Sequence, residues 1–282
     1  LRTALAKTIP REEVLANIYD PIFPGAELLN CGTWVPTIGN WCDQSIFEGY
    51  TDPEAAVALL EGDGWTKNGE GLWEKDGEAP EIRWMINEPN PRRQDTQALL
   101  IPLLREAGFN IVSDNGDAAT VFQQRLPALD YDMGMYISVA SPDPSVTVSF
   151  HCNQVPSEEN DFQGQNSQGW CNEEASALMD ESDTQVEDVA AREALIHQIA
   201  QFQADDAVWV PMYQFPNIAA WRTDVLEGDT PGLEAANYRA FADNIHEWVS
   251  ADGEVVVGAE QWPDCINPVT ECANSSWMVW TA

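Results

Sequence analysis

The segment between residues 82 and 113 constrains the fold of this 282-residue chain more than any other. Residues 82–86 and 110–113 are short apolar runs of the kind that form buried strands. Between them, residues 94–107 carry leucines at helical spacing, and Gly108 ends the helix. A strand, a helix and a second strand in this order favour parallel pairing, because the helix returns the chain to the starting end of the sheet. The sequence therefore predicts an α/β fold.

Helices and strands alternate along the rest of the chain. Asp52 has the position of a helix cap, Pro53 begins the helix, and Gly62 and Gly64 stop it. A hairpin is predicted over residues 65–78. Further helices are predicted over residues 2–6, 11–19, 120–126, 172–181 and 187–203, and further strands over residues 132–139 and 208–213, the last interrupted at Pro211.

The charge of the chain is strongly one-sided, with 47 acidic and 13 basic side chains and a net charge of −34. Nucleic acid is excluded as a partner, because binding its phosphates needs clustered Lys and Arg. The acids suit either a solvated surface, as in proteins from saline surroundings, or a site for cations or cationic ligands. We favour the first interpretation because the acids are spread along the whole chain. No run of 18 apolar residues predicts a membrane span.

The six cysteines fall into three close pairs. Six cysteines allow 15 pairings, and the local one is our first expectation. It joins Cys31 to Cys42, Cys152 to Cys171, and Cys265 to Cys272. A structural zinc site would need a tighter cysteine spacing with matching partners, and the three histidines are scattered. We therefore expect disulfides, no metal, no cofactor and an oxidising compartment.

Several short segments, in a fixed order over residues 1–213, carry a resemblance to a known family. They are Leu1-Arg2-Thr3-Ala4-Leu5-Ala6, Arg11-Glu12-Glu13-Val14, Tyr50-Thr51-Asp52-Pro53-Glu54-Ala55-Ala56, Leu103-Leu104-Arg105-Glu106-Ala107-Gly108, Tyr131-Asp132-Met133-Gly134, Asp143-Pro144, Ala191-Arg192 and Val210-Pro211-Met212-Tyr213. In this order the chain resembles the carboxy-terminal half of the family 5 solute-binding proteins of ABC importers, the dipeptide, oligopeptide and nickel-binding group. Residues 253–268 resemble the start of a mature member, so we expect the chain to be a fragment, a permutation or part of a tandem protein.

The resemblance implies a type II periplasmic-binding-protein-like lobe, with a mixed sheet flanked by helices and the second lobe largely missing. Residues 1–207 would form the carboxy-terminal ligand-binding lobe, and residues 208–282 the lobe-crossing segment with partial elements of the other lobe. Such a protein binds a peptide or similar small solute between its lobes, without catalysis, and delivers it to a membrane permease. We expect an extracytoplasmic monomer, in the periplasm or on the outer face of the membrane, with or without a lipid anchor.

The resemblance also nominates ligand-binding residues. Tyr136, Ser138 and Ser141 fall where the cleft loop of the family follows its strand, and the family's Arg is kept at Arg125. Peptide binders of the family hold the ligand's amino terminus with an aspartate shortly before the Asp-Pro pair, but here that position falls on Ala140 or Ser141. A short peptide bound in the usual way is therefore not expected.

Two of the nominated residues have a structural interpretation beside the ligand-binding one. Asp143 could replace the missing aspartate, or cap the turn that follows it. Trp170 lies with Asn166 in the loop that the second disulfide would close, where ligand contact and a structural role are both open.

Two other function classes compete with the receptor. Acids and tryptophans also suit a secreted glycoside hydrolase, which needs two carboxyl groups about 5 to 10 Å apart. They suit a non-catalytic cell-surface carbohydrate-binding module as well, because indole faces stack on sugars. A hydrolase cleft could be complete within this chain, whereas an importer receptor needs the second lobe.

Overall fold

The structure, a computed structural model, describes residues 1–137, 143–214, 226–227 and 249–250. The chain divides into two compact units, Leu1–Gln214 and Phe215–Ala282. Helices and strands alternate in the first unit. The helices are α1 (Arg2–Thr8), α2 (Arg11–Val14), α3 (Pro53–Gly62), α4 (Pro91–Ala107), α5 (Thr147–Phe150), α6 (Glu173–Thr184) and α7 (Val189–Asp205), and the strands are β1 (Thr66–Lys67), β2 (Trp73–Glu74), β3 (Glu81–Met85), β4 (Asn87–Glu88), β5 (Asn110–Ser113), β6 (Gly116–Asp117) and β7 (Met133–Gly134).

A parallel sheet of order β5–β3–β7 organises this unit. Helix α4 connects β3 to β5, so the predicted strand-helix-strand unit and its parallel pairing are confirmed. Strands β4 and β6 continue the same direction as a second parallel pair. Strands β3, β5 and β7 end at one side of their sheet, which we call the carboxyl edge. Beyond this edge the chain continues through residues 86–90, 114–119 and 135–137, which include β4 and β6.

Alternation along β3 directs side chains to two different cores. Ile82 and Trp84, with Ile86 just beyond the strand, belong to the larger core, which includes residues of α1, α3 and α4. Met85 packs on the other face with Val121 and Leu126. The sheet is therefore covered on both faces, as expected for parallel strands.

A separate core lies between α6, α7 and the loop that follows α2. It contains Trp34, Phe150, Trp170, Met179 and Ile196. Disulfides join Cys31 to Cys42 and Cys152 to Cys171 around this core, which confirms two of the three predicted pairings. The third predicted pair, Cys265 and Cys272, lies outside the described residues.

Several predicted elements differ from the structure. Of the strand predicted over residues 132–139, only Met133–Gly134 is a strand in the described residues 132–137. Helix α4 begins at Pro91 rather than residue 94, because the Asn90 side chain accepts a hydrogen bond from the Arg93 amide and Pro91 fits the first turn. The strand predicted over residues 208–213 is wrong: only an isolated bridge pairs Leu28 with Tyr213. Pro211 has no amide hydrogen to donate, which disfavours a regular ladder there.

In the second unit, β8 (Leu226–Glu227) pairs antiparallel with β9 (Val249–Ser250). The domain boundary placed after residue 207 stays a prediction. Within the part of the chain that the structure describes, no helix is long and apolar enough to cross a membrane.

Candidate functional site

A row of five aromatic rings runs inward from the carboxyl edge. Tyr136, just after β7, meets Phe122 and Trp209 edge-on, with ring centroids 6.3 and 5.6 Å apart. Trp209 meets Phe150 at 6.2 Å, and Phe150 meets Trp170 at 6.4 Å. Phe122 is 41% exposed and Trp170 only 5%. This aromatic row therefore offers an apolar surface at its Phe122 end and is anchored in the core at its Trp170 end.

The hydroxyl of Tyr136 is held by an amide. Gln168 Nε2 donates a hydrogen bond to this hydroxyl, while Gln168 Oε1 is buried and has no partner among the described residues. Burial raises the pKa of Tyr136 above its ordinary value, so the phenol is neutral at physiological pH. Ile137 follows with half of its surface exposed. The outer part of the row thus combines apolar surface with an uncharged hydroxyl and an amide.

The Arg125 guanidinium donates hydrogen bonds to two other residues of the chain, Asp114 and Asp130. It donates to the backbone carbonyl and the carboxylate of Asp114, which follows β5. It also donates twice to the carbonyl of Asp130, from Nε at 3.1 Å and from the terminal nitrogen at 2.9 Å. Arg125 therefore ties the chain after β5 to the chain before β7.

Asp143 is paired in a similar way. Both of its oxygens accept hydrogen bonds from Arg192 of α7, at 2.9 and 3.0 Å, and one also accepts from the Ser145 amide at 2.9 Å. The hydrogen bonds from Arg192 lower the pKa of Asp143. The turn-capping interpretation of Asp143 thus matches its contacts, and its carboxylate already has a cationic partner.

The other nominated residues divide into described and undescribed ones. The indole nitrogen of the buried Trp170 donates to Asp206 at 2.8 Å, and the Trp170 carbonyl accepts from the buried Asn166 at 2.7 Å. Ser138 and Ser141 lie outside the described residues. The structure therefore brings Tyr136 and Trp170 into one aromatic row, whereas Arg125 and Asp143 belong to separate ion pairs.

Sequence analysis missed a polar cluster at the carboxyl edge. Glu88 Oε1 accepts from Asn115 at 3.0 Å and from Gln94 at 3.2 Å. Asn115 and Gln97 also exchange hydrogen bonds of 3.0 Å. The signal was available, because ligands of open α/β sheets bind beyond the carboxyl ends of the strands. The approach of Phe122, Trp209 and Gln168 to one another could not be predicted in this way, because they come from three separate loops and helices. Among the described residues, no group of three or more His, Cys, Asp or Glu could hold a metal.

Comparison with solved structures places this architecture among known folds. No family model and no curated protein matches the sequence. The oligopeptide-binding protein AppA of Bacillus subtilis, in complex with a nonapeptide, superposes with a TM-score of 0.66 at 23% identity, over 75% of this chain and 40% of that one. An oligopeptide-binding protein of Thermus thermophilus, in complex with a pentapeptide, superposes with a TM-score of 0.65 at 22% identity, over 75% of this chain and 37% of that one. A periplasmic oligopeptide-binding protein of Thermotoga maritima, with bound mannohexaose, superposes with a TM-score of 0.61 at 16% identity, over 75% of this chain and 40% of that one.

The chain therefore has the fold of a type II periplasmic binding protein. More particularly, it shares this fold with the three oligopeptide-binding proteins named above, of which it spans about 40% of the length. The fold implied by the resemblance to family 5 is confirmed, including the expectation that one lobe predominates.

Proposed function

We propose that this chain supplies the ligand-binding lobe of an extracytoplasmic receptor of an ABC importer. It binds a solute against a second lobe and delivers it to a membrane permease, without catalysis of its own. The observation that carries the proposal is the aromatic row at the carboxyl edge, on a fold shared with peptide-bound binding proteins. Open α/β sheets bind ligands at this edge, and a second lobe would bury them. The receptor acts as a monomer, in the periplasm or at the outer face of the membrane.

The ligand contacts begin at Phe122 and Tyr136. Ser138 and Ser141 follow Tyr136 closely in the chain and are proposed as further contacts. Arg125, Asp143 and Trp170 have a structural role instead of ligand contact, because their charged or polar groups already have partners within the lobe.

The paired charges bear on the class of ligand. A ligand charge that engaged Arg125 or Asp143 would have to break the pair of Arg125 with Asp114 or that of Arg192 with Asp143, and a broken pair leaves a charge uncompensated. Aromatic rings with an amide suit uncharged groups instead, such as a sugar ring or the interior of an extended peptide. The ligand therefore presents an uncharged portion to the aromatic row, which favours oligosaccharides or longer peptides over dipeptides.

A binding screen on a full-length receptor, in which this lobe faces a second one, tests the proposal. Mannohexaose, an uncharged nonapeptide and a dipeptide are added in turn, and unfolding temperature and native mass are measured. A ligand at 100 times its dissociation constant adds about 2.7 kcal/mol of stability, a shift of several degrees. Recovery of the hexaose or nonapeptide intact supports the receptor. A cleaved ligand would indicate the hydrolase instead, and no shift with any ligand would contradict the receptor.

Substitution of the aromatic row tests the location of the site. Phe122→Ala removes an exposed ring, and we expect affinity for the ligand found in the screen to fall roughly tenfold, the value of one aromatic contact. Leu59→Ala, which shortens a similarly exposed apolar side chain on α3, is the matched control and should leave affinity unchanged. Equal affinities of the wild type and Phe122→Ala would place the ligand elsewhere.

A further inference from the structure

A groove lies between the end of α3 and the hairpin formed by β1 and β2. It encloses about 620 Å³, within the range of small-molecule sites, roughly 300 to 1,000 Å³. The Trp73 amide donates to the carbonyl of Gly108, two residues before β5 begins, so the groove lies near the amino end of that strand. It is therefore separate from the carboxyl edge and its aromatic row. Its walls include Val57 and Glu61 of α3, and Trp65, Thr66, Lys67 and Trp73.

Two indole rings in this groove are held in place by hydrogen bonds. Trp73 is 6% exposed, and its indole nitrogen donates to the Ala107 carbonyl at 3.0 Å. The Trp65 indole donates to Asp63 at 3.0 Å, and Lys75 pairs with the same carboxylate at 3.0 Å. Trp65 is partly buried and packs against the larger core. The groove therefore presents flat apolar surface that a ligand does not have to order.

The rim of the groove carries one cation and one anion. Lys67 and Glu61 are both exposed, and neither has an ion-pair partner among the residues that the structure describes. The Lys67 ammonium lies 5.2 Å from the centre of the Trp73 ring. Lys75, in the same hairpin, is instead paired with Asp63. Lys67 and Glu61 therefore keep their hydrogen-bonding capacity for a molecule in the groove.

These two charges select an uncharged ligand. An anion would meet Glu61, and the net charge of −34 repels it at longer range. A cation would meet Lys67 instead. An uncharged molecule with several hydroxyl groups satisfies both side chains, because a hydroxyl donates to a carboxylate and accepts from an ammonium. The apolar C–H face of a sugar ring also packs well on an indole.

We propose that this groove is a binding site for a neutral saccharide. Trp65 supplies the stacking surface, Lys67 donates to hydroxyl oxygens, and Glu61 accepts from hydroxyl groups. The site is additional to the surface proposed for the imported solute. It does not depend on the receptor function, because its residues lie at the other end of the sheet.

The amide and indole NMR signals of the full chain test this site. Mannohexaose, cellohexaose and maltohexaose are titrated in turn. We expect at least one of them to shift the amides of residues 64–67 and the indole N–H of Trp65, with β3 and β5 unchanged. Lys67→Ala and Glu61→Ala should each weaken this binding roughly fivefold, the value of one hydrogen bond. Lys7→Ala is the matched control and should leave affinity unchanged, because the Lys7 ammonium also lies over a ring, that of Tyr50 at 4.8 Å, but on α1.

The outcomes distinguish this site from the receptor surface. No shift at residues 64–67 with any of the three saccharides would overturn the proposal, and so would an equal loss of affinity in Lys7→Ala. Tighter binding of hexagalacturonate, an anionic saccharide, would overturn the neutral class of ligand. Shifts confined to Phe122 and Tyr136 would overturn the groove and support the receptor surface. Shifts in the groove alone, in a protein whose aromatic row binds nothing, would support the groove and count against the receptor.

Discussion

Arg11 is a buried cation whose hydrogen bonds go to uncharged acceptors. Its side chain, in a residue only 1% exposed, donates to the carbonyls of Leu29 and Phe47 at 2.6 and 3.1 Å and to Asn30 Oδ1 at 2.7 Å. Burial lowers the pKa of Arg11, but a guanidinium starts so high that it keeps its proton. These three acceptors flank the first disulfide loop. Arg11 therefore fixes both ends of that loop against α2.

Removal of this side chain should be costly. Arg11→Ala removes the Arg11 donor from the Leu29 carbonyl and from Asn30 Oδ1, and leaves the Phe47 carbonyl with the Tyr50 amide alone. We therefore expect the free energy of unfolding to fall by about 3 kcal/mol. Urea unfolding at a constant slope measures the change. Arg2→Ala, at an exposed position on α1, should change stability by less than about 0.5 kcal/mol. A loss at Arg11 no larger than that at Arg2 would contradict this role.

Residue contacts over long sequence distances limit what a sequence can predict at this scale. Asp143 and Arg192 are 49 residues apart, and nothing in either segment indicates their pairing. The family resemblance predicted that Asp143 contacts the ligand, and local chemistry predicted that it caps the following turn. The turn interpretation matches a contact in the structure, because the Ser145 amide donates a hydrogen bond to Asp143. Arg11, at the start of a short helix with two acids after it, has the pattern of a solvated residue.

At the scale of elements, the end of α4 shows how a helix terminus and a hairpin determine one another. Gly108 ends the helix with φ of 107°, a left-handed conformation that side chains disfavour. Its carbonyl accepts from the Trp73 amide at 2.8 Å, and the Trp73 indole donates to Ala107 at 3.0 Å. A β-carbon at Gly108 would lie 2.9 Å from the Gly71 carbonyl oxygen. The hairpin thus packs directly on the bare backbone of Gly108.

Alanine substitutions at two glycines separate backbone strain from this contact. Gly64 also has a positive φ, of 82°, but a β-carbon there would meet nothing within 4 Å. We expect Gly64→Ala to cost about 1 kcal/mol from strain alone, and Gly108→Ala about 2 to 3 kcal/mol because the hairpin must also move. Thermal unfolding of both variants gives the comparison. Equal losses of stability in the two variants would mean that the hairpin moves away from the added β-carbon with no energetic penalty.

The ends of helices and strands could be predicted from the sequence where they depend on residues close by in the chain. The cap at Asp52, the glycine stop at Gly108 and the strand at residues 110–113 were all predicted, because each depends on neighbours within a turn. The strand predicted over residues 208–213 failed because an apolar run becomes a strand only when a partner lies beside it. Here the partner, Leu28, meets it at a single position.

For the whole molecule, ion pairs and net charge oppose each other as pH changes. Hydrogen bonds from Arg83 and Arg192 lower the pKa of Asp130 and Asp143 respectively. Carboxyl groups with lowered pKa contribute stability above their unfolded value, near 4, and lose it as pH falls through their folded value. We expect the free energy of unfolding to decrease between pH 4 and pH 2. Asp143→Asn should show a shallower decrease in the same urea titrations, and an identical slope would exclude Asp143 as a contributor.

Salt should stabilise this chain at neutral pH. With a net charge of −34, self-repulsion favours the expanded chain. Raising the salt from about 0.01 to 1 M shortens the screening length from about 30 to 3 Å. We therefore expect the unfolding temperature at pH 7 to rise by several degrees, and to rise less at pH 4, where many acids are protonated. An unfolding temperature that falls with added salt at pH 7 would contradict this account.

The overall architecture was predictable from two kinds of information. The strand-helix-strand pattern predicted parallel strands, and the ordered family segments predicted the type of lobe, which the superpositions confirm. The aromatic row was not predictable, because Phe122, Tyr136, Trp209 and Phe150 approach one another only after the sheet and α7 are in place. Their spacing in sequence carries no period that could reveal them.

Both described disulfides close loops that reach the proposed ligand surface. The first loop supplies Trp34, which holds Pro144, and the second encloses Gln168, which holds Tyr136. A newly made chain in a reducing cytoplasm lacks these cross-links. In the proposed receptor, binding competence would therefore mature only after export and oxidation, and the nascent chain would not capture solute in the cytoplasm.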